Sequence, residues 1–317
     1  MKILHVTTNY PTPEYPIFGI FLKEQVESLQ KIGIDCDVFY CDGQNKGFRK
    51  YITYVPSLWR RALFGGYDII HCHHALSAII LWMTGAPLIK KVVLSYQNDP
   101  TREWGDKVFR FFNVFFKAFI LKNNSKHYLK YPKMHYLPNG CNQDLFKPMD
   151  KQDCRKKLDW KQNKNYIIYM DSNKGVRTQK RRDRFEETID ILRGQYGYDV
   201  EMVVMRNVRR ELIPIYLNAA DLHLISSDFE GSPNSVKECM CCNTPVVSTN
   251  VGNVEEMIGD IDGSYVVNDF TAQALAEACD KVLKSTIPFK GRDKFLDKGY
   301  GMVTVAEKLR DIYLSIM

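Results

Sequence analysis

The stretch from Leu222 to Glu238 constrains the fold more than any other part of the chain. Leu222, Leu224 and Ile225 lie in an apolar run of strand length, and Asp228-Phe-Glu-Gly-Ser-Pro-Asn-Ser-Val-Lys-Glu238 follows as a polar loop turning into a helix. Ser232 is placed as the N-cap and Pro233 at the first helical position, where its missing N–H costs nothing. Val236, Cys239 and Met240 then mark the inner face of that helix. A strand feeding a helix in this way is part of a βαβ unit with a parallel sheet, and ligands of such sheets lie beyond the carboxyl ends of the strands. The unpaired N–H groups and positive dipole end around Ser232, Pro233, Asn234 and Ser235 suit a phosphate. Glu230 stands just outside the helix, and Glu238 lies about 7.5 Å further along its axis than Pro233. Carboxylates on either side of an anion site suit a diphosphate carrying a hydroxyl-rich group at each end, as in a nucleotide-sugar. Two glutamates at a helix start are also common as solvated charges favoured by the dipole.

The same pattern opens both halves of the chain. Lys2–Thr8 reads as a strand, Asn9–Phe18 as a Pro- and Tyr-rich loop ending at Gly19, the following residues as a helix stopping at Gly33, and Cys36–Tyr40 as a second strand. Tyr67–His74 reads as a strand ending in histidines, with alternation sending His71 and His73 to one face and His74 to the other. Residues 107–121 are apolar except for Lys107, Arg110, Asn113 and Lys117, which suggests one buried helix with a basic edge. Lys147–Asn165 is polar and is expected to hold a linker and a short helix. Tyr166–Met170 restarts the pattern, followed by a basic loop (Lys174, Arg177, Lys180, Arg181, Arg182), a helix over 183–192, and a strand at Val200–Met205. Val254–Ile258 and Gly263–Val267 are expected to complete the second sheet, with helices at Ala272–Leu283 and Val303–Met317 to finish.

A chain of 317 residues suits two cores rather than one. Its net charge of +7 is uneven: residues 1–150 hold 19 Lys/Arg and 12 Asp/Glu, whereas residues 151–317 hold 25 of each. The basic excess of the first half points to an acidic surface or substrate. Arg49, Lys50, Arg60 and Arg61 bracket an aromatic segment (Tyr51, Tyr54, Trp59) that reads as a half-buried helix. The nine cysteines show no paired zinc spacing, and Cys239, Cys241 and Cys242 read as small buried side chains. No secretory signal and no membrane-length apolar run is evident, so the expectation is a reduced, cytoplasmic protein.

Glu230-x7-Glu238, within EGSPNSVKECMCCNTPVVSTNVGNVEEMI, resembles the signature of the retaining family 4 glycosyltransferases. Asn218-Ala-Ala-Asp-Leu222 resembles that family's approach to the motif, and Pro138-Asn-Gly-Cys-Asn-Gln-Asp-Leu-Phe146 resembles its segment before the interdomain linker, with Cys141 for Val and Asn142 for Asp. The strand ending His71-Cys-His73 resembles the family's "DxIHxH" strand. The resemblance implies the GT-B fold: α/β, two doubly wound parallel-sheet domains facing a central cleft. It divides the chain into an acceptor-side domain (1–147), a donor domain (148–302), and a crossover helix at about 303–317 that packs back on the first domain.

The resemblance also implies a reaction and assigns roles. A sugar passes, with retention, from a nucleotide diphosphate sugar (UDP- or GDP-linked) to a glycan or polyprenyl-linked acceptor in cell-surface polysaccharide synthesis, with no metal or other cofactor. Arg177 and Lys180 match the Arg and Lys that hold the donor diphosphate, with Gly231, Ser232, Pro233, Asn234 and Ser235 taking the leaving charge beside them. Glu230 is assigned to sugar hydroxyls, Glu238 to the ribose, and Val208 to the base through its backbone. His73 borders the reacting carbon, and Gly19 is the counterpart of a glycine near the donor phosphates, although the fuller double-glycine form is absent. The loop Tyr96–Pro100 lacks the family's His-Gly, so its acceptor contacts do not carry over. Many family members use lipid-linked acceptors, and the basic first domain is therefore expected to rest on the inner, anionic face of the cell membrane. A nucleotide-sugar epimerase of the same fold, a nucleic-acid-directed glycosyltransferase or binding protein, and a non-catalytic subunit are the alternatives. No nucleic-acid recognition motif is present.

Overall fold

The computed structural model describes residues 1–42, 49–171 and 177–317, and the chain forms two compact units: residues 1–140 with 302–317, and residues 141–301. The boundaries lie a few residues from those placed by sequence. Cys141 and Phe146 are buried in the core of the second unit, which draws the segment before the linker into it.

The first unit carries six parallel strands: β1 (Lys2–Thr7), β2 (Asp35–Tyr40), β3 (Ile69–His73), β4 (Lys91–Tyr96), β5 (Ala118–Leu121) and β6 (Met134–Tyr136), in the order β2-β1-β3-β4-β5-β6. Both faces of such a sheet are covered, so β3 and β5 are buried at every residue and read as unbroken apolar or aromatic runs rather than alternating ones. The helix Met302–Ser315 returns to this unit and packs on the helix Ile20–Lys31 through Val305, Ala306, Leu309 and Tyr313. Gly140 permits the return, since a Cβ there would meet the Met302 backbone at 2.9 Å.

Residues 107–121 do not form one helix. A helix at Asp106–Phe115 buries only Phe109 and Phe112; Phe116 turns extended and β5 follows. A continuous apolar run cannot separate a buried helix from a buried strand by periodicity, which is why the sequence pattern merges them. The aromatic segment before β3 forms two short helices, Arg49–Ile52 and Val55–Phe64, of which only Leu58 and Ala62 are buried.

The second unit holds five parallel strands: β7 (Asn165–Met170), β8 (Val200–Met205), β9 (Leu222–Ile225), β10 (Val246–Thr249) and β11 (Tyr265–Val267), in the order β11-β10-β9-β7-β8. Val254–Ile258, expected in the sheet, is a short helix: Glu255 and Glu256 favour its first turn, and Val254, Met257 and Ile258 face the core.

Each sheet reverses its winding once. In the first unit β1 lies between β2 and β3, and in the second β7 lies between β8 and β9. The crevice outside the carboxyl ends of the strands at such a switch point is where open α/β sheets bind ligands. That places Thr8–Asn9 and His74–Ala75 at one crevice, and the segments after β7 and β9 at the other.

Candidate active site

In the second unit, hydrogen bonds stitch together the loops after β7 and β9. Ser226 Oγ donates to the carbonyls of Lys180 (3.0 Å) and Arg181 (2.9 Å), and Asp228 N–H donates to Gln179 O at 2.8 Å. The Lys180 ammonium thereby lies 3.5 Å from Glu230 Oε1, which also accepts from Ser227 Oγ at 2.9 Å. Lys180, Glu230, Pro233 and Ser235 line one hollow with Tyr169 and His223. His223 Nδ1 donates to the Ile168 carbonyl at 3.0 Å, so its Nε2 accepts from Ser235 Oγ at 3.0 Å. Burial lowers the His223 pKa to about 4 and keeps the ring neutral.

The other basic residues of the loop divide clearly. Arg181 pairs with Asp183 and Asp228, and Arg182 with Glu186, so both serve the surface of the fold. Arg177 is exposed and leads into a short 3-10 turn containing Lys180. Lys174 lies outside the described residues.

The helix after β9 spans Asn234–Cys242, one residue shorter than expected at its start. Pro233, not Ser232, is the N-cap, and no side chain caps the helix. Ser232 Oγ instead accepts from the Lys237 ammonium at 2.8 Å. This directs the Ser232 hydroxyl proton away from Lys237, where it can be donated to a ligand. Gly231 approaches the loop after β10 so closely that a Cβ on Gly252 would meet Gly231 O at 2.3 Å, and Gly252 has φ +59°.

Lys237 is a feature that sequence reading did not single out; a lysine beside a glutamate on a helix gives no sign of burial. Its side chain is wholly enclosed, and burial lowers its pKa to about 8, with Cys141, Glu238 and Glu256 opposing the shift. In the unfolded chain the same group titrates near 10.5. Below pH 8 both states are charged and the full desolvation cost is present; as pH rises from about 8 towards 10.5 the folded state loses its proton first and that cost disappears. Lys237→Met should therefore gain stability relative to wild type at pH 7 by about 3 kcal/mol more than at pH 10. Urea denaturation at the two pH values measures that difference.

Glu238 is also buried. Its Oε1 pairs with Arg210 Nη1 at 2.5 Å, and the Arg210 guanidinium lies over the Phe146 ring, 4.5 Å from its centroid. Val208 follows Asn207, a non-glycine residue at φ +55°, and is half-buried against the core of the unit. Arg210 was not picked out from the sequence, because its pairing with Glu238 spans 28 residues.

In the first unit, His73 and Gly19 occupy different settings. The His73 ring is buried and stacked on His71, with ring centroids 4.2 Å apart, and His73 Nε2 meets His5 Nδ1 at 3.0 Å. The His73 carbonyl accepts from Ser77 Oγ at 2.6 Å. His71 Nδ1 faces Tyr313 OH at 2.6 Å and its Nε2 faces Ser95 Oγ at 2.8 Å. Burial lowers the pKa of His5 to about 3 and pushes His71 and His73 well below the usual value, so all three are neutral. One ligand atom from each lies within 4.8 Å of the others. Four of their six nitrogens are engaged, with one another, Tyr313 and Ser95, whereas His5 Nε2 and His73 Nδ1 are buried with no hydrogen-bond partner among the described residues. Gly19 has φ +70°, and a Cβ there would meet Asn9 O at 2.4 Å. Its role in the structure is to let the helix start press against the loop that follows β1.

Two all-parallel α/β units of this kind define the GT-B class. Sucrose-phosphate synthase from Thermosynechococcus elongatus superposes with a TM-score of 0.75 at 16% identity, covering 99% of each chain. Residues 179–302 match the family described as glycosyl transferases group 1. The UDP-Gal:alpha-D-GlcNAc-diphosphoundecaprenol alpha-1,3-galactosyltransferase of Escherichia coli is 22% identical over 321 residues, 86% of this chain and 82% of the relative. A putative teichuronic acid biosynthesis glycosyltransferase of Bacillus subtilis strain 168 is 24% identical over 356 residues, 88% of both. The chain is a glycosyltransferase with the GT-B fold.

Proposed function

We propose that this enzyme is a retaining, metal-independent member of family 4 that transfers a hexose from a UDP-sugar to a glycan carried on a lipid diphosphate. The observation that carries the reading is the Lys180–Glu230 pair at the β7/β9 switch point, in one hollow with Pro233 and Ser235. Departure of the diphosphate concentrates negative charge, which Arg177, Lys180 and the N–H groups at the start of Asn234–Cys242 offset without a divalent ion. Glu230 holds sugar hydroxyls; Glu238, its charge already balanced by Arg210, holds the ribose. UDP is preferred to GDP because the E. coli relative is named for UDP-Gal, and the lipid-linked acceptor follows the same name.

The acceptor would bring the enzyme to a membrane surface. No helix among the described residues is long and apolar enough to cross one. The first unit does expose Phe64 (72%) and Val114 (71%) near Arg60, Arg61 and Arg110. We read this as a peripheral contact, each basic residue near an anionic surface contributing about 1 kcal/mol.

The test is a transfer assay with radiolabelled UDP-galactose, UDP-glucose and GDP-mannose, using GlcNAc-diphosphoundecaprenol in anionic vesicles as acceptor. Label should pass from a UDP-sugar into the lipid fraction with a chelator present, forming an α-linkage, and the enzyme should sediment with the vesicles at low salt. Release of an altered free nucleotide-sugar in place of lipid product would favour an epimerase, and no turnover of any donor would contradict the proposal.

A further inference from the structure

The first turn of the helix Asn234–Cys242 hides a cation behind the proposed phosphate loop. Lys237 is wholly enclosed, and its ammonium, with three protons to donate, bonds to the neutral Ser232 hydroxyl at 2.8 Å. Among the described residues no carboxylate pairs with it, and the ionisable groups that face it come from three parts of the unit. Glu238, on its own helix, is taken by Arg210 at 2.5 Å. Glu256, from the helix Val254–Ile258, accepts from Tyr300 OH at 3.3 Å. The Cys141 thiol, from the segment before the linker, is neutral, since burial and the neighbouring Cys241 thiol hold its pKa well above the usual value.

A charge enclosed in this way is costly unless something balances it. The open side of the arrangement is the loop itself. Because Ser232 Oγ accepts from Lys237, its own proton is left for a group on the far side of the loop. The two bonds in series strengthen one another when that group is an anion. The N–H groups at the start of the helix serve the same anion. Gly252 packs against the Gly231 carbonyl and fixes the loop over the lysine. With its pKa lowered to about 8 by burial, Lys237 is partly deprotonated near that pH, and an anion across the loop draws the proton back.

We propose that Lys237 is a positioning residue for the donor: it turns the Ser232 hydroxyl proton towards the donor diphosphate and is the buried positive charge that the diphosphate balances, so donor binding takes up a proton. The inference rests on the donor site proposed above and deepens it by coupling that site to a group that does not touch the ligand. Binding raises the pKa of the lysine, so affinity for UDP is full below about pH 8 and falls as pH rises above it. Calorimetric titration with UDP near pH 8, in HEPES and in Tris, reads the uptake from the apparent enthalpies in two buffers of different ionisation enthalpy. Wild type should take up roughly half a proton per UDP there, and bind about tenfold more weakly at pH 9 than at pH 7. Lys237→Met should bind UDP about tenfold more weakly at pH 7, with no uptake and little change between the two pH values. Ser232→Ala, which keeps the lysine, should weaken binding but retain most of the uptake. A lysine that serves the fold alone would leave wild-type binding free of proton uptake. That result, or the same pH dependence in Lys237→Met as in wild type, overturns the proposal and leaves the donor site standing. No binding of UDP by wild type at either pH removes the donor site and this inference together. The wild-type uptake decides even if a variant does not fold.

Discussion

Lys180→Ala should lower kcat by about 10²–10³-fold while leaving the protein folded. Two effects of that substitution differ greatly in size. The Lys180–Glu230 pair is partly exposed, at 3.5 Å, and pairs of that kind contribute roughly 0–1 kcal/mol to stability. Removing a group that meets charge developing in the transition state costs about 2.7–4 kcal/mol in activation energy. The kinetic effect therefore dominates, and it grows further because Glu230 is left without its cation beside a departing diphosphate. Arg177→Ala should act in the same direction with still less effect on folding, since its side chain is exposed. Steady-state kinetics beside a thermal melt separates the two quantities. Wild-type turnover in either folded variant would remove that residue from the diphosphate site.

Glu238→Ala should show the opposite balance, with a large loss of stability. Glu238 and Arg210 are both nearly buried and 2.5 Å apart. Breaking a buried pair by removing one partner costs about 3–5 kcal/mol, because the other charge remains enclosed. For a unit of this size that lowers the melting temperature by roughly 10 °C. Arg210→Met combined with Glu238→Leu should recover most of the stability, since a buried pair replaced by apolar groups is often neutral. The double variant then isolates the ligand role: with the fold restored, UDP affinity should remain lower than in wild type. A double variant that binds UDP normally would show that Glu238 serves the fold alone, and a double-mutant cycle gives the coupling.

The parts of this fold that were legible in the sequence are those where periodicity and punctuation agree. The strands β1, β7, β8 and β9 stand out as apolar runs ended by Gly, Pro or polar loops, and the start of the helix after β9 was placed within one residue. Residues 106–121 were not legible, because Phe112 and Phe115 close a helix and Ala118 and Phe119 open a strand within one mostly apolar run, and its few polar residues, Lys107, Arg110, Asn113 and Lys117, happen to fall at helical spacing. Val254–Ile258 failed for the related reason that five residues are too few to separate the two periods.

At the candidate site, the motif residues were visible because they are close in sequence. Their partners were not. Arg210 reaches Glu238 across 28 residues, and His5 reaches His73 across 68. Glu103 acts by accepting backbone N–H groups from two loops, and no residue type signals that role in advance. His74 was read only as the residue facing away from His71 and His73. Its positive φ, which brings the ring beside Asn9, is a property of packing that alternation cannot supply.

Calorimetric titration of the whole chain with UDP tests most directly whether the second unit's switch point is the donor site. Wild type should bind UDP, Lys180→Ala should bind it at least tenfold more weakly, and Glu230→Gln should bind it within about threefold of wild type while losing affinity for the intact UDP-sugar. A wild type that does not bind UDP, or a Lys180→Ala variant that binds it unchanged, would contradict the donor-site assignment.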